Sequence, residues 1–293
     1  MDPAGPPARA PRPAIAQVHL GPGDEGCVRA VPAHSCGGIF WAVEEPRQDR
    51  EEELSVNDNR KAVVLLSGGM DSCVTAAIAR ERHGSENVAL LHAGYGQRTE
   101  KRERRSFDAI ADFYGVHQRL VVQLDYFRAI GGSALTDATI AVPQNELGAP
   151  GPGGGAIPVT YVPFRNAHFL AIAVSWAEAI GAGAVYIGAV AEDSSGYPDC
   201  RPEYYRAFQE LVRVGTRPET RIEIVTPVIT MNKHEIIRRG IALGAPLHLT
   251  WSCYQSDDAA CGTCDSCLLR LRAFAEAGTP DPIPYQRAAP ARP

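Results

Sequence analysis

Six residues, Ser67-Gly68-Gly69-Met70-Asp71-Ser72, constrain this chain more than any other stretch, because an apolar β-branched run precedes them and a helical pattern follows. Ala62-Val63-Val64-Leu65-Leu66 reads as a buried parallel strand, and Cys73-Val74-Thr75-Ala76-Ala77-Ile78-Ala79 as a helix of small and apolar residues. A glycine loop at that junction lets the backbone approach an anion closely. The helix start adds unpaired N–H groups and the positive end of its dipole. Ser67 and Ser72 supply hydroxyl donors. A carboxylate repels a polyphosphate unless a divalent cation bridges the two, so Asp71 points to a nucleotide bound with Mg²⁺. The candidate ATP grip covers Leu66, Ser67, Gly68, Gly69, Met70, Asp71, Ser72, Cys73 and Val74. The competing reading is an ordinary capped helix after a glycine turn. A Walker A loop is excluded, since no G-x-x-x-x-G-K-[ST] occurs in the chain.

At 293 residues, 45% hydrophobic and 22% charged, the chain has room for one large domain and a small appendage. A net charge of -5 argues against a broad electrostatic footprint for nucleic acid and favours a small-molecule substrate. No segment reads as membrane-spanning. The most apolar stretch, residues 169–190, is broken by Glu178 and by Gly181-Ala182-Gly183 into a helix and a strand. The first residues lack the basic and apolar blocks of a secretory signal, which predicts a cytoplasmic protein.

Residues 1–58 combine Pro, Gly and Ala with the charged Glu51-Glu52-Glu53 and read as a flexible extension. From Lys61 strand and helix patterns alternate. Further strands are expected at 88–92, 120–122, 185–187 and 222–225, and helices over 166–180 and 232–243, the latter opened by an Asn232/Glu235 capping box. That alternation predicts an α/β fold with a doubly wound, mostly parallel sheet. The run Arg98, Glu100, Lys101, Arg102, Glu103, Arg104, Arg105 reads as a solvated helix face. Residues 141–155 read as a long loop, either covering an active site or forming a disordered insertion. The nucleotide-binding domain is thus expected over 59–245 and a small C-terminal subdomain over 246–293.

Eight cysteines in a reducing compartment are ligands, nucleophiles or buried thiols before they are disulfides. Cys253, Cys261, Cys264 and Cys267 form C-x7-C-x2-C-x2-C, with Gly262 providing a tight turn. Four closely spaced thiolates suit a tetrahedral, structural zinc ion that staples a segment too short for its own core. An iron–sulfur cluster and four unconnected thiols are the alternatives, although the ferredoxin continuation C-x3-C-P is missing. Cys27, Cys36 and Cys73 carry no such spacing, and Cys200 reads as a packing residue rather than a nucleophile.

Tyr161-Val162-Pro163-Phe164-Arg165-Asn166 stands before a helix, so Arg165 and Asn166 are expected in the crevice beyond the strand ends, where open parallel sheets bind ligands. Asp193, Tyr197, Asp199 and Arg201 follow the fourth strand and are expected to reach the same crevice, unless they form only a solvated loop. Lys233 opposes the helix dipole in the first turn of its helix, which calls for an anionic partner or leaves a mildly unfavourable exposed lysine. His92, Tyr95 and Gln97 leave the second strand; His92 reads foremost as a strand-end hydrogen bonder.

Together, Ser67 to Ser72, His92-Ala93-Gly94-Tyr95-Gly96-Gln97, Val162 to Asn166, Gly196-Tyr197-Pro198-Asp199-Cys200-Arg201 and the terminal cysteines resemble the 7-cyano-7-deazaguanine synthase family over about residues 61–275. The first motif is shared across the ATP pyrophosphatase (PP-loop) superfamily; the Gly-Tyr-Pro-Asp-Cys-Arg run with the cysteine spacing is the more specific signal. The resemblance implies an adenine nucleotide alpha hydrolase-like fold and an ATP-dependent ligase of queuosine biosynthesis. Such an enzyme converts 7-carboxy-7-deazaguanine and ammonia to the nitrile through an acyl-adenylate and an amide. It also implies a homodimer, Mg²⁺ with ATP, one zinc per chain, no nucleic-acid partner, and Tyr95, Gln97, Arg165, Asn166, Asp193, Tyr197, Asp199, Arg201 and Lys233 as catalytic or substrate-binding residues. Val190 departs from the family, where a polar residue such as asparagine is frequent, and so removes one expected substrate hydrogen bond. The rival readings are a tRNA-modifying superfamily member, which would want a basic surface and a reactive cysteine pair, an ATP-sensing zinc module, and a homologue acting on another acceptor.

Overall fold

The computed structural model describes residues 60–145, 157–191 and 196–286. The expected N-terminal extension, Asp193 and residues 146–155 of the expected long loop lie outside the described residues. The described residues all belong to one compact unit spanning Glu51–Pro293.

Five strands form one all-parallel sheet: β1 (Ala62–Leu65), β2 (Val88–Gly94), β3 (Arg119–Gln123), β4 (Ala184–Ile187) and β5 (Glu223–Val225), in the order β3-β2-β1-β4-β5. Val64 sits opposite Leu90 on one side and Tyr186 on the other, so β1 is central and buried on both faces. Its side chains alternate between two cores, as the period of a strand demands. Ala62, Val64 and Leu66 pack with α1 (Met70–His83) and α2 (Glu100–Phe113). Val63 and Leu65 pack with α4 (Arg165–Ile180) and α5 (Pro202–Gly215), a short α3 (Tyr126–Ile130) lying between β3 and α4 in the chain. The chain winds outward from β1 to β3 and returns to start again at β4, which opens a crevice beyond the carboxyl ends of β1 and β4.

The predicted elements are present with ends shifted by at most two residues, except that α1 extends three and four residues beyond the expected 73–79, and the expected capping box opens α6 (Lys233–Ala242). Asn232 Oδ1 accepts from the Glu235 amide at 3.0 Å and Glu235 Oε2 accepts from the Asn232 amide at 2.9 Å. Helix α5, which the sequence reading left unassigned, is strongly amphipathic, with Tyr205, Phe208 and Val212 buried one turn apart. Lys101, Arg104 and Arg105 are exposed on α2 as expected, but Glu103 lies on the half-buried side.

The cysteine-bearing segment grows out of the sheet domain rather than standing apart. Helix α6 and α7 (Asp265–Ala277) pack on α1 through Met70, Val74, Ile236, Ile237, Ala273 and Phe274. The Trp251 amide donates to Gly68 O at 2.8 Å, tying this segment directly to the glycine loop. Arg270 grips Asp281 with two hydrogen bonds, 2.7 and 3.0 Å, in a pair whose side chains are 2% and 3% exposed. Removing one partner of such a buried pair costs about 3–5 kcal/mol, because the other charge is left without compensation.

Candidate active site

The glycine loop is held in shape from behind. Gly68 has φ +94°, and a Cβ there would lie 2.5 Å from the Glu103 carbonyl oxygen, so both conformation and space demand glycine. Gly188, just past β4, is required for space alone: a Cβ would lie 2.9 Å from the Ser72 amide nitrogen and from Asp71 C. The sheet therefore meets the first turn of α1 at backbone distance. The Ser67 and Ser72 hydroxyls lie 3.0 Å apart, Ser72 Oγ donates to Gly69 O at 3.0 Å, and the Gly69 amide donates to Ser67 Oγ at 3.2 Å. Gly69 is the N-cap of α1 and no side chain caps it, which leaves the helix start for an anion.

Asp71 and Lys233 face each other at this helix start, with Lys233 Nζ 2.6 Å from Asp71 Oδ2. The anionic partner that the Lys233 position calls for is thus Asp71 itself. Asp71 Oδ1 is buried and accepts no hydrogen bond, which suits a hard cation better than it suits an empty interior. The residues present therefore fit Mg²⁺ carried by a nucleotide.

A cavity of about 540 Å³ extends from this loop between the strand ends and α7. Around the glycine loop it is lined by Leu66, Ser67, Gly69, Met70, Asp71, Ser72 and Lys233, and α7 contributes Arg270 and Arg272 to the lining. Its other lobe is lined by Tyr95, Arg165, Asn166, Phe169, Tyr197 and Tyr254. Arg165 donates to the Tyr95 hydroxyl at 2.8 Å, and its guanidinium lies 5.0 Å from the Tyr95 ring centroid and 5.6 Å from that of Phe169. A planar cation between aromatic faces, with the Tyr197 hydroxyl 2.7 Å from that of Thr160, makes a lobe suited to a flat polar heterocycle.

Asp199 supports that lobe from behind. Phe164, the residue before α4, takes left-handed backbone angles and offers no side-chain cap. Asp199 Oδ2 instead accepts the Asn166 amide at 3.0 Å, while Asn166 Nδ2 donates to Asp199 O at 3.0 Å. Cys200 adjoins this pair; burial pushes its thiol up to about 11, which suits packing rather than nucleophilic attack.

Of the expected site residues that the structure describes, Leu66, Ser67, Gly69, Met70, Asp71, Ser72, Tyr95, Arg165, Asn166, Tyr197 and Lys233 line the cavity, and Gly68, Cys73, Val74, Gln97, Asp199 and Arg201 do not. Gly68 stands behind the loop, and Cys73 and Val74 lie in the core, the Cys73 thiol being pushed up to about 12 by burial. Gln97 is buried in a second row, accepting the Tyr95 amide at 2.8 Å. Arg201 is exposed at the N-cap of α5, outside the cavity lining. His92 is buried with Nδ1 3.1 Å from Leu66 O, the strand-end hydrogen bond expected of it. Val190 is buried in the lining and offers the cavity no polar side chain.

Glu103, Phe169, Thr160, Tyr254 and the α7 arginines line the cavity although the sequence reading did not select them. For Glu103 a signal existed. It falls three, four and seven residues before the buried Ser106, Phe107 and Ile110, hence on the inward face of α2.

The sulfur atoms of Cys253, Cys261, Cys264 and Cys267 lie within 4.8 Å of one another, and all four residues are buried. Amides point at the sulfurs: those of Cys261 and Gln255 at Cys253, and those of Cys264 and Thr263 at Cys261, at 3.3–3.4 Å. Such donors stabilise thiolates, so the set fits a tetrahedral metal ion. Cys264 is the N-cap of α7 and Cys267 lies in its first turn, so the cluster anchors the helix that carries Arg270 and Arg272. On its outer side the Asn145 amide donates to Thr263 O at 2.8 Å, so the described start of the 141–155 loop packs on the cysteines.

Comparison with known proteins agrees with this geometry. Residues 61–278 match the model of the family described as queuosine biosynthesis protein QueC. The chain is 61% identical over 229 residues to 7-cyano-7-deazaguanine synthase of Koribacter versatilis, covering 78% of this chain and 94% of that one. It is 58% identical over 228 residues to the protein of the same name from Acidobacterium capsulatum, covering 77% and 96%. A nucleotide-type loop, an aromatic lobe with a buried arginine and a four-cysteine anchor thus sit on a chain that belongs to the QueC family of queuosine biosynthesis proteins.

Proposed function

We propose that this protein is an ATP-dependent carbon–nitrogen ligase that converts 7-carboxy-7-deazaguanine, ammonia and ATP to 7-cyano-7-deazaguanine. The observation that carries the reading is that one cavity joins an uncapped helix start behind a glycine loop to a lobe built for a flat heterocycle. A carboxylate is a poor electrophile, so its oxygen first attacks the α-phosphorus of ATP, pyrophosphate leaves, and an acyl-adenylate forms. Ammonia then displaces AMP to give the amide. The amide oxygen attacks a second ATP, and loss of AMP with the last nitrogen-bound proton leaves the nitrile.

The protein's part is chiefly alignment and stabilisation of spreading charge. The α1 amides, the Ser67 and Ser72 hydroxyls, Lys233 and Arg272 surround the position of the triphosphate, while Arg270, held by Asp281, Thr250 and Leu247 O, braces α7. Asp71, whose Oδ1 accepts no hydrogen bond, would hold Mg²⁺ brought with ATP, and the ion would neutralise phosphate charge. Arg165, Asn166, Phe169 and Tyr197 hold the deazaguanine. The four cysteines hold one structural zinc ion, and the enzyme works as a cytoplasmic homodimer. No helix among the described residues is long and apolar enough to cross a membrane.

The test is mass spectrometry of the product from purified protein, the carboxylated base, ATP, Mg²⁺ and ammonium. The nitrile with two AMP per product is expected without added tRNA. Absence of both amide and nitrile would reject the reading.

A further inference from the structure

Making a nitrile removes every hydrogen from the attacking nitrogen, so the cavity needs a proton acceptor that is not already committed. Among the described residues three carboxylates line it: Asp71, Glu103 and Asp265. Asp71 is ion-paired with Lys233 at the glycine loop, and Asp265 adjoins Cys264 in the first turn of α7, on the four-cysteine anchor.

Glu103 is held differently. Gln97 Nε2 donates to Oε2 at 2.9 Å and Thr99 Oγ1 to Oε1 at 3.0 Å, while Gln97 is itself anchored by the Tyr95 amide. Each carboxylate oxygen therefore keeps acceptor capacity for a third partner in the cavity. Burial raises the Glu103 carboxyl above its ordinary value. Gln97, Thr99 and Arg165 of α4 act in the opposite sense and Glu100 in the same one, with the Tyr95 phenol also facing it. A carboxylate oriented by two donors and made more basic by its surroundings has the character of a general base.

Building on the ligase reading above, we propose that Glu103 is a catalytic residue that takes protons from nitrogen during amide and nitrile formation. In the last step the N–H bond of the imidoyl adenylate breaks, its proton passes to a Glu103 carboxylate oxygen, and its electron pair completes the C≡N bond. The C–O bond to AMP breaks in the same event, and AMP leaves with the electron pair of that C–O bond. No oxidant or further reactant is required.

The test starts from the amide with ATP and Mg²⁺, which needs no ammonia, so that the pH profile belongs to the protein. With Glu103→Gln, kcat for nitrile formation is expected to fall about 100-fold or more, with KM for amide and ATP within a few-fold. The acid limb of the wild-type profile, expected above the ordinary value of 4.5, should disappear in Glu103→Gln and move in Glu103→Asp. Isotope exchange between pyrophosphate and ATP, driven by the carboxylated base without ammonia, requires no proton acceptor and should persist in both variants. Nitrile formation by Glu103→Gln near the wild-type rate with the acid limb intact overturns the assignment. Equal loss of exchange and nitrile formation in both variants also overturns it. Wild-type protein lacking both activities would instead reject the ligase reading, and this role with it.

Discussion

Lys233 Nζ lies 2.6 Å from Asp71 Oδ2, joining the first turn of α6 to the first turn of α1 across the mouth of the phosphate loop. Each residue is unfavourable alone at its position, the lysine opposing a helix dipole and the aspartate facing incoming phosphates. Together they cancel, and a nucleotide carrying Mg²⁺ can take both partners at once. Lys233→Met should lower AMP formation about 100-fold and Asp71→Ala should abolish it, with zinc content unchanged in both. AMP release by Asp71→Ala at the wild-type rate would remove Asp71 from the metal bridge.

The four-cysteine anchor should affect the active site through α7. Cys264→Ser is expected to lower bound zinc and melting temperature together, and to weaken the thermal protection given by Mg²⁺ and ATP, since Arg272 rides on the anchored helix and lines the cavity. Metal analysis alongside thermal unfolding measures this. Unchanged zinc stoichiometry would exclude Cys264 as a ligand.

Gly188 should tolerate no side chain. A methyl group there meets the backbone of Asp71 and Ser72 and the Thr75 hydroxyl at 2.9 Å, so Gly188→Ala must push β4 from α1. A loss of about 1–3 kcal/mol in unfolding free energy and a raised KM for ATP are expected. Denaturant unfolding and steady-state kinetics measure the two effects.

Asp199 acts by capping α4 from a distant loop. Asp199→Asn keeps the shape but weakens the acceptor for the Asn166 amide, for a loss of about 1 kcal/mol. Because that turn carries Arg165, KM for the carboxylated base should rise while KM for ATP stays constant.

His92 should make stability depend on acidity. Burial lowers its pKa below the ordinary 6.5, and its Nε2 is buried without a hydrogen-bond partner. The unfolded chain therefore binds the proton more readily than the folded one, and stability is lost as pH falls through and below 6.5. Between about pH 8 and pH 5.5 the melting temperature of His92→Asn should fall less than that of the wild type.

The strand–loop–helix at Ser67 to Ser72, the alternation of elements and the cysteine spacing were all legible in the chain, because each depends on neighbours within a few residues or one helical turn. Arg201 and Glu103 show where that legibility stops. Arg201 belongs to the same short run as Tyr197 and Asp199, yet it is exposed at the N-cap of α5, a helix that the sequence reading did not identify. Glu103 sat within a charge run that reads as solvated, but its spacing to Ser106, Phe107 and Ile110 turns it inward.

By itself the sequence determined the parallel sheet, the phosphate loop and the thiolate set, since backbone conformation and ligand spacing are local properties. Only the tertiary structure decided which polar groups meet. Lys233 pairs with Asp71 over 162 residues, Asp199 caps a helix 33 residues earlier, and Trp251 ties the cysteine segment to Gly68. Such contacts depend on how helices pack on the two faces of the sheet, a cooperative outcome of burying the whole core that no short window of residues contains.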